Sequence, residues 1–379
     1  MEGRSVRARA VFAVVSSMAA GWGIPAATAG PTNPNISIIG QPFARITDDA
    51  ADPDRERLQF DPGEVELVFD DYLNPYAKAF FTLAIGTEGL ELEEGYFDLV
   101  RGLPFGLALR GGQYRVGLGK QNPAHPHAYP FAERFRVLAA YLPGEEAYVE
   151  TGVSLSKLMA LPRDRSLTLT VDGLQGDSFR IEREPSASPD DPLADPAGLG
   201  DHGIETRLAV NGRAALFSEV GELSAVELGA TVAYGTENVA ADARSTVIGL
   251  DAKAKLWRTP EAYFLLQGET LWLDRPEVTW ETGASYATSP VDAFGGYVYC
   301  DYNWARRYNA GVGFERFADP APGAGRSNGF RAFTGLALFE ETTVFRLDWE
   351  RFDPPGSDPV NTTTLRAIFA LGPHKAHTF

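Results

Sequence analysis

The stretch Ile248-Gly249-Leu250-Asp251-Ala252-Lys253-Ala254-Lys255-Leu256 decides the fold. Its apolar residues recur at every second position, with Gly249, Asp251, Lys253 and Lys255 between them. A period of two puts the two sets on opposite faces of a strand, whereas a helix would mix them. The same alternation runs through Val65-Glu66-Leu67-Val68-Phe69-Asp70, Leu167-Thr168-Leu169-Thr170-Val171-Asp172 and Phe345-Arg346-Leu347-Asp348-Trp349-Glu350. Most such segments are near ten residues, the length a tilted strand needs to cross a bilayer.

The connections between the segments alternate in length. Tight ones fall at Leu73-Asn74-Pro75-Tyr76, Leu103-Pro104-Phe105-Gly106, Leu161-Pro162-Arg163-Asp164, Ser218 to Glu222, Arg258-Thr259-Pro260-Glu261, Ala305-Arg306-Arg307 and Glu340-Glu341-Thr342. Between them lie polar connections, from Thr87-Glu88-Gly89 to the long segments 117–147 and 175–202. Adding a first strand near 35–47 and a last near 361–371 predicts an all-β, single transmembrane antiparallel barrel of about 16 strands, with 14 and 18 as alternatives. With tight turns on the periplasmic side, every longer connection faces outward. A secreted β-sandwich would also alternate. Against it stand the regular short–long rhythm and the aromatics that end the apolar faces: Tyr76, Phe105, Trp257, Trp304, Tyr308 and, near an outer end, Trp272. The last residue, Phe379, is aromatic as well, a common ending among such barrels.

Composition agrees. The 379 residues carry 51 Asp plus Glu against 34 Lys plus Arg, a net charge of −17, which argues against a nucleic-acid partner. One cysteine, Cys300, excludes an internal disulfide framework and a cysteine-based zinc site. Residues 1–29 have the layout of a signal peptide: Arg4, Arg7 and Arg9, an apolar run from Ala10, and Ala27-Thr28-Ala29 before Gly30. The expected organisation is therefore signal peptide 1–29 and barrel 30–379.

Several motifs resemble those of a group of bacterial outer-membrane porins. They are Leu73-Asn74-Pro75-Tyr76-Ala77-Lys78-Ala79, Glu93-Glu94-Gly95-Tyr96, Gly119-Lys120-Gln121-Asn122 leading to His125-Pro126-His127, and the ending Gly372-Pro373-His374-Lys375-Ala376-His377-Thr378-Phe379. The group is similar to the phosphate-selective porin superfamily of sixteen-stranded barrels, and related sequences are sometimes labelled zinc-regulated outer-membrane receptors. Asn74 stands where that group usually has Asp, a neutral change in a turn. The resemblance implies a channel for passive diffusion. A TonB-dependent receptor would add a plug and a barrel of 22 strands, for which residues upstream of the first strand leave no room.

The alternation assigns inward positions, and acidic side chains outnumber basic ones there. Rings of carboxylates favour cations, whereas phosphate pores use Arg and Lys. The expectation is thus a weakly cation-preferring pore for small hydrophilic solutes, with Glu94, Asp98, Arg110, Glu150, Arg207, Lys253, Glu269 and Asp301 as pore or constriction residues. The segment 117–147 is the candidate constriction loop. No cofactor is expected. A divalent cation is considered at the acidic stretches 48–56 and 184–201, and at His125 and His127, because imidazole is a common metal ligand. The pair His374 and His377 is expected at the other rim. The rival reading is a non-conducting binding barrel or a zinc-uptake receptor-like protein. Expected partners are outer-membrane lipid, lipopolysaccharide and the barrel-assembly machinery, with a homotrimer as the model from other porins. Catalysis is not expected: Gly325-Arg326-Ser327-Asn328-Gly329 matches G-x-S-x-G, but no helical pattern follows it.

Overall fold

The computed structural model describes residues 34–87, 89–144, 147–179, 207–238, 241–280, 286–338 and 342–372. The predicted signal peptide, the acidic stretch 184–201 and the pair His374 and His377 lie outside the described residues. Eighteen strand segments form one sheet. They are β1 (Asn35–Gly40), β2 (Phe43–Thr47), β3 (Gln59–Asp61), β4 (Val65–Asn74), β5 (Ala77–Gly86), β6 (Gly89–Leu99), β7 (Leu107–Arg115), β8 (Val149–Leu161) and β9 (Arg165–Leu174). The second half holds β10 (Ala209–Val220), β11 (Ser224–Asn238), β12 (Ala243–Thr259), β13 (Ala262–Trp280), β14 (Tyr286–Trp304), β15 (Tyr308–Ala318), β16 (Arg326–Ala337), β17 (Thr343–Asp353) and β18 (Val360–Leu371).

Two pairs of these segments are single strands with a break. β1 and β2 run along β18 in one continuous register, from Ile38 opposite Leu371 to Thr47 opposite Thr362. Pro42, which has no N–H to give to a ladder, falls at the break. On their other side β1 pairs with β4 and β2 with β3, so β3 and β4 are likewise one strand. The wall therefore has the predicted sixteen strands, all antiparallel, and the β18–β1 pairing closes the barrel. Six of the seven predicted tight turns fall between consecutive strands on one end, and the strand ends that bound the long connections, Arg115, Val149, Leu174 and Ala209, fall on the other; Glu340 and Glu341 of the seventh lie outside the described residues.

The faces sort as the alternation requires. Outward residues such as Leu250, Val171 and Phe294 are 59%, 63% and 64% exposed, whereas the inward Asp251, Asp172 and Glu269 are 5%, 1% and 2% exposed. A belt of apolar side chains this extensive would be an aggregation liability in water and is the expected exterior of a barrel in lipid. At the tight-turn end Phe264, Tyr302, Trp304 and Tyr308 stack in a row, ring centroids 4.6–5.6 Å apart. At the other border the outward Trp272 bonds Asp292 through its indole N–H at 2.6 Å. Trp257 departs from the expectation. It shares the inward register of Asp251 and Lys253, and the Lys255 ammonium lies 5.1 Å from its ring and 4.3 Å from that of Tyr263. It lines the mouth of the lumen instead of the lipid-facing girdle.

Strand length also departs from ten. β13 and β14 have 19 residues each. A strand of ~10 residues crosses the hydrocarbon, so beyond Trp272 this hairpin stands clear of the membrane at the long-loop end. The residues that follow, Asp274, Arg275 and Glu277, are charged accordingly.

Candidate functional site

The lumen is not an empty cylinder. After β7 the chain turns inward, and of the connection 116–148 the described residues 116–144 and 147–148 pack inside the wall. Their neck is closed by Asn122, whose amide donates to the Val116 and Tyr148 carbonyls at 2.8 and 3.0 Å and accepts from the Tyr148 N–H at 2.8 Å. Gly119, with φ of +67°, passes so close to the wall that a Cβ there would lie 1.9 Å from the Glu269 carboxylate. That approach lets Glu269 accept the N–H groups of Lys120 and Gln121 at 2.8 and 2.7 Å, together with the Tyr297 hydroxyl at 2.6 Å.

Further in, Asp348 accepts the Ala132 N–H and Glu315 the Val137 N–H, both at 2.9 Å, the latter at the start of a short helix, Arg136–Tyr141. Phe131 and Phe135 pack against Tyr297, Tyr299 and Phe333 of the wall, with Phe135 stacked on Tyr297 at 4.2 Å. The Arg331 guanidinium lies 4.5 Å from both phenylalanine rings and donates to the Glu133 carbonyl. The inward segment is thus held by apolar burial on one side and by wall carboxylates reading its backbone donors.

The predicted site residues divide accordingly. Asp98 and Arg110 make a two-point ion pair at 2.8 and 3.1 Å, with the guanidinium 3.9 Å over the Tyr96 ring. Arg110 keeps a third of its side chain exposed, so this pair faces the open part of the lumen. Lys253 faces inward on β12, beside the Arg213–Asp251 pair at 2.6 and 2.9 Å. Glu150 accepts the N–H groups of Gly176 and Ser178, tying down the connection after β9. Asp301 accepts the amides of Asn303 and Asn309, both at 2.9 Å. Glu269 anchors the inward segment. Arg207 lies in the connection before β10, paired with Asp242 at 2.5 Å, which puts it at the long-loop rim and away from the mid-wall.

Glu94 belongs to the most concentrated polar cluster. It accepts the Arg115 N–H at 2.9 Å, and its other oxygen lies 2.9 Å from His125 Nε2. His127 Nδ1 is 2.8 Å from Glu66 Oε1, while His125 Nδ1 is 3.3 Å from an oxygen of Glu66 and one of Glu93. The structure therefore brings the H-x-H pair to the wall, among carboxylates of β4 and β6. Burial disfavours the charged His125 ring, but hydrogen bonding to Glu93 and Glu94 outweighs it and raises the group to about 9. Sequence alternation missed Glu93. Thr82 pairs with Glu94 and Leu83 with Leu92, so Glu93 is the extra residue of a β-bulge. The bulge turns two successive glutamates to the inside, where alternation allows one.

The acidic stretch 48–56 serves its own loop: Asp48 accepts the N–H and amide of Asn361 at 2.6 and 2.8 Å, and Asp49 and Asp52 accept backbone N–H groups two residues on. Beside it a polar crevice of about 210 Å³ runs between Arg45, Asp52, Glu133, Arg136 and Glu350. Gly325 to Gly329 enters β16 directly, so Ser327 sits on a strand and no nucleophile elbow forms.

Comparison with known proteins agrees on the architecture. No family model matches the chain. An uncharacterised protein of Aquifex aeolicus is 30% identical over 276 residues, 68% of this chain, and the chain spans about half (54%) of that relative's length. Among solved structures, OprB of Pseudomonas putida matches with a TM-score of 0.58 at 9% identity, covering 89% of this chain and 94% of that one. The anion-selective porin of Comamonas acidovorans matches at 0.56 and 10%, covering 89% and 99%. The trimer form of OmpT, an outer membrane protein of Vibrio cholerae, matches at 0.51 and 9%, covering 90% and 100%. At these identities the likeness is one of fold: the chain has the fold of the porin-type β-barrels of bacterial outer membranes.

Proposed function

We propose that this chain is a diffusion channel of the outer membrane, passing small hydrophilic solutes or ions through a lumen narrowed by residues 116–148. The observation that carries the reading is the pairing of an apolar exterior with a charged interior that is partly water-exposed at Asp98 and Arg110. The inward wall is rich in carboxylates, of which Glu150, Glu269, Glu315 and Asp348 accept backbone N–H groups. Such a wall supports a weak preference for cations. Within porins the sequence motifs favour the phosphate-selective superfamily, but not its solute. A homotrimer is the assembly we favour, because the trimer form of OmpT shares the fold. Lipid and lipopolysaccharide would contact the apolar belt, and the barrel-assembly machinery would insert it.

Planar-bilayer recording of the purified, folded chain tests this. We expect discrete openings, and a reversal potential of cation-preferring sign in a KCl gradient. Anion preference would remove the selectivity. The aromatic packing of Phe131 and Phe135 inside the barrel favours a second reading, a non-conducting binding barrel, which an absence of openings would support.

A further inference from the structure

We propose that a divalent first-row metal ion, zinc foremost, staples the inward segment to the barrel wall through Glu66 Oε2, Glu93 Oε2 and His125 Nδ1. Among the described residues these three atoms are the one set of His, Cys or carboxylate ligand atoms that lie within 4.8 Å of one another. They share a second property. Each is buried, Glu66 is 0% exposed, and none makes a hydrogen bond of good geometry: their ion-pair contacts are with one another, 3.3 Å from His125 Nδ1 to each carboxylate oxygen. Buried polar atoms are nearly always satisfied, and what satisfies these three is one shared cation: a proton on His125 Nδ1, or a metal ion in its place.

The surroundings explain why these atoms are left to face one point. Every group has its other polar atom engaged. His125 Nε2–H faces Glu94 at 2.9 Å, so the proton that a metal would displace is the one on Nδ1, between Glu66 and Glu93. Glu66 Oε1 receives His127 Nδ1–H at 2.8 Å and the Gln41 amide at 3.1 Å. Glu93 Oε1 receives the Arg115 guanidinium at 2.6 Å. A carboxylate behind a ligating histidine and hydrogen bonds behind ligating carboxylates are the usual outer shell of a protein metal site.

The spacing fits as well. Zinc bonds to nitrogen and oxygen of about 2.0–2.2 Å set tetrahedral ligand separations of roughly 3.3–3.5 Å. His125 Nδ1 lies 3.3 Å from each carboxylate oxygen. Three protein ligands leave a fourth position for water. One imidazole with two carboxylates suits zinc and its first-row neighbours, while calcium would need six to eight oxygens. The arrangement differs from an H-x-H chelate: only His125 ligates, and His127 orients Glu66. It links β4, the β6 bulge and the inward segment, so the metal would set how firmly the constriction is held.

The test uses the full chain, folded in detergent, stripped with chelator and titrated calorimetrically with zinc chloride. A parallel titration with cobalt(II) reads the visible bands of a four-coordinate ion. We expect one saturable site, absent in Glu93→Gln and in His125→Gln. Glu94→Gln should bind about 10–100-fold more weakly, as for loss of an outer-shell carboxylate. His374→Ala/His377→Ala should bind as the parent does. Heat-dependent gel migration confirms that each variant is a folded barrel. No saturable binding by the folded parent, or binding that survives both Glu93→Gln and His125→Gln, overturns the proposal. Binding lost only with His374 and His377 overturns it too.

Discussion

Glu93 and Glu94 are adjacent in sequence and both face inward, and the reason is an extra residue that no pattern in the sequence announces. Period-two reading located Glu66, Glu94, Asp98, Glu269 and Asp301 on the inner face because a strand leaves no choice. It could not see that Leu83 opposes Leu92 while Thr82 opposes Glu94. Nor could it distinguish a carboxylate that colours the pore from one that holds backbone. Glu269 is of the second kind. Its replacement by Ala strands the N–H groups of Lys120 and Gln121 and the Tyr297 hydroxyl. Each buried donor left unpaired costs about 1–3 kcal/mol. Glu269→Ala should therefore lower the thermal unfolding midpoint in detergent, measured by circular dichroism. Glu261→Ala, in an exposed turn, should leave the midpoint unchanged.

At the scale of elements, strands and tight turns were legible and the inward segment was legible only as a length. The turns carry their own chemistry, as where Asn74 Oδ1 accepts the N–H groups of Tyr76 and Ala77 at 2.9 and 3.0 Å. The 116–148 segment has no period, since its residues pack by shape against a wall distant in sequence. Its aromatics, Tyr129, Phe131 and Phe135, were visible, but their partners Tyr297, Tyr299 and Phe333 lie more than 160 residues away. Phe135 is 1% exposed. Phe135→Ala should cost about 3–5 kcal/mol of the segment's docking, the range for a buried phenylalanine. The wall's own ladder does not depend on it. The expected outcome is a barrel with unchanged strand content and a larger, noisier single-channel conductance. An unchanged conductance with full loss of the ring would mean that the segment does not limit the pore.

For the whole molecule, the alternation makes a claim about solvent: two neighbouring faces of one strand meet lipid and water. Composition could not establish this, because an apolar fraction of 44% is ordinary for globular proteins. Two substitutions of the same kind separate the environments. Leu250 points outward near the middle of β12, and Ala215 points into the lumen on β10 opposite Gly229. An arginine on the lipid face near the bilayer midplane costs about 2–4 kcal/mol, whereas lumen substitutions mainly tune selectivity. Leu250→Arg should therefore lower folding stability by that amount in lipid vesicles, measured by equilibrium urea titration. Ala215→Arg should cost far less, because its guanidinium reaches water, and it should move the reversal potential toward anions. Equal costs for the two would mean that both faces see the same medium, which a membrane barrel would not satisfy.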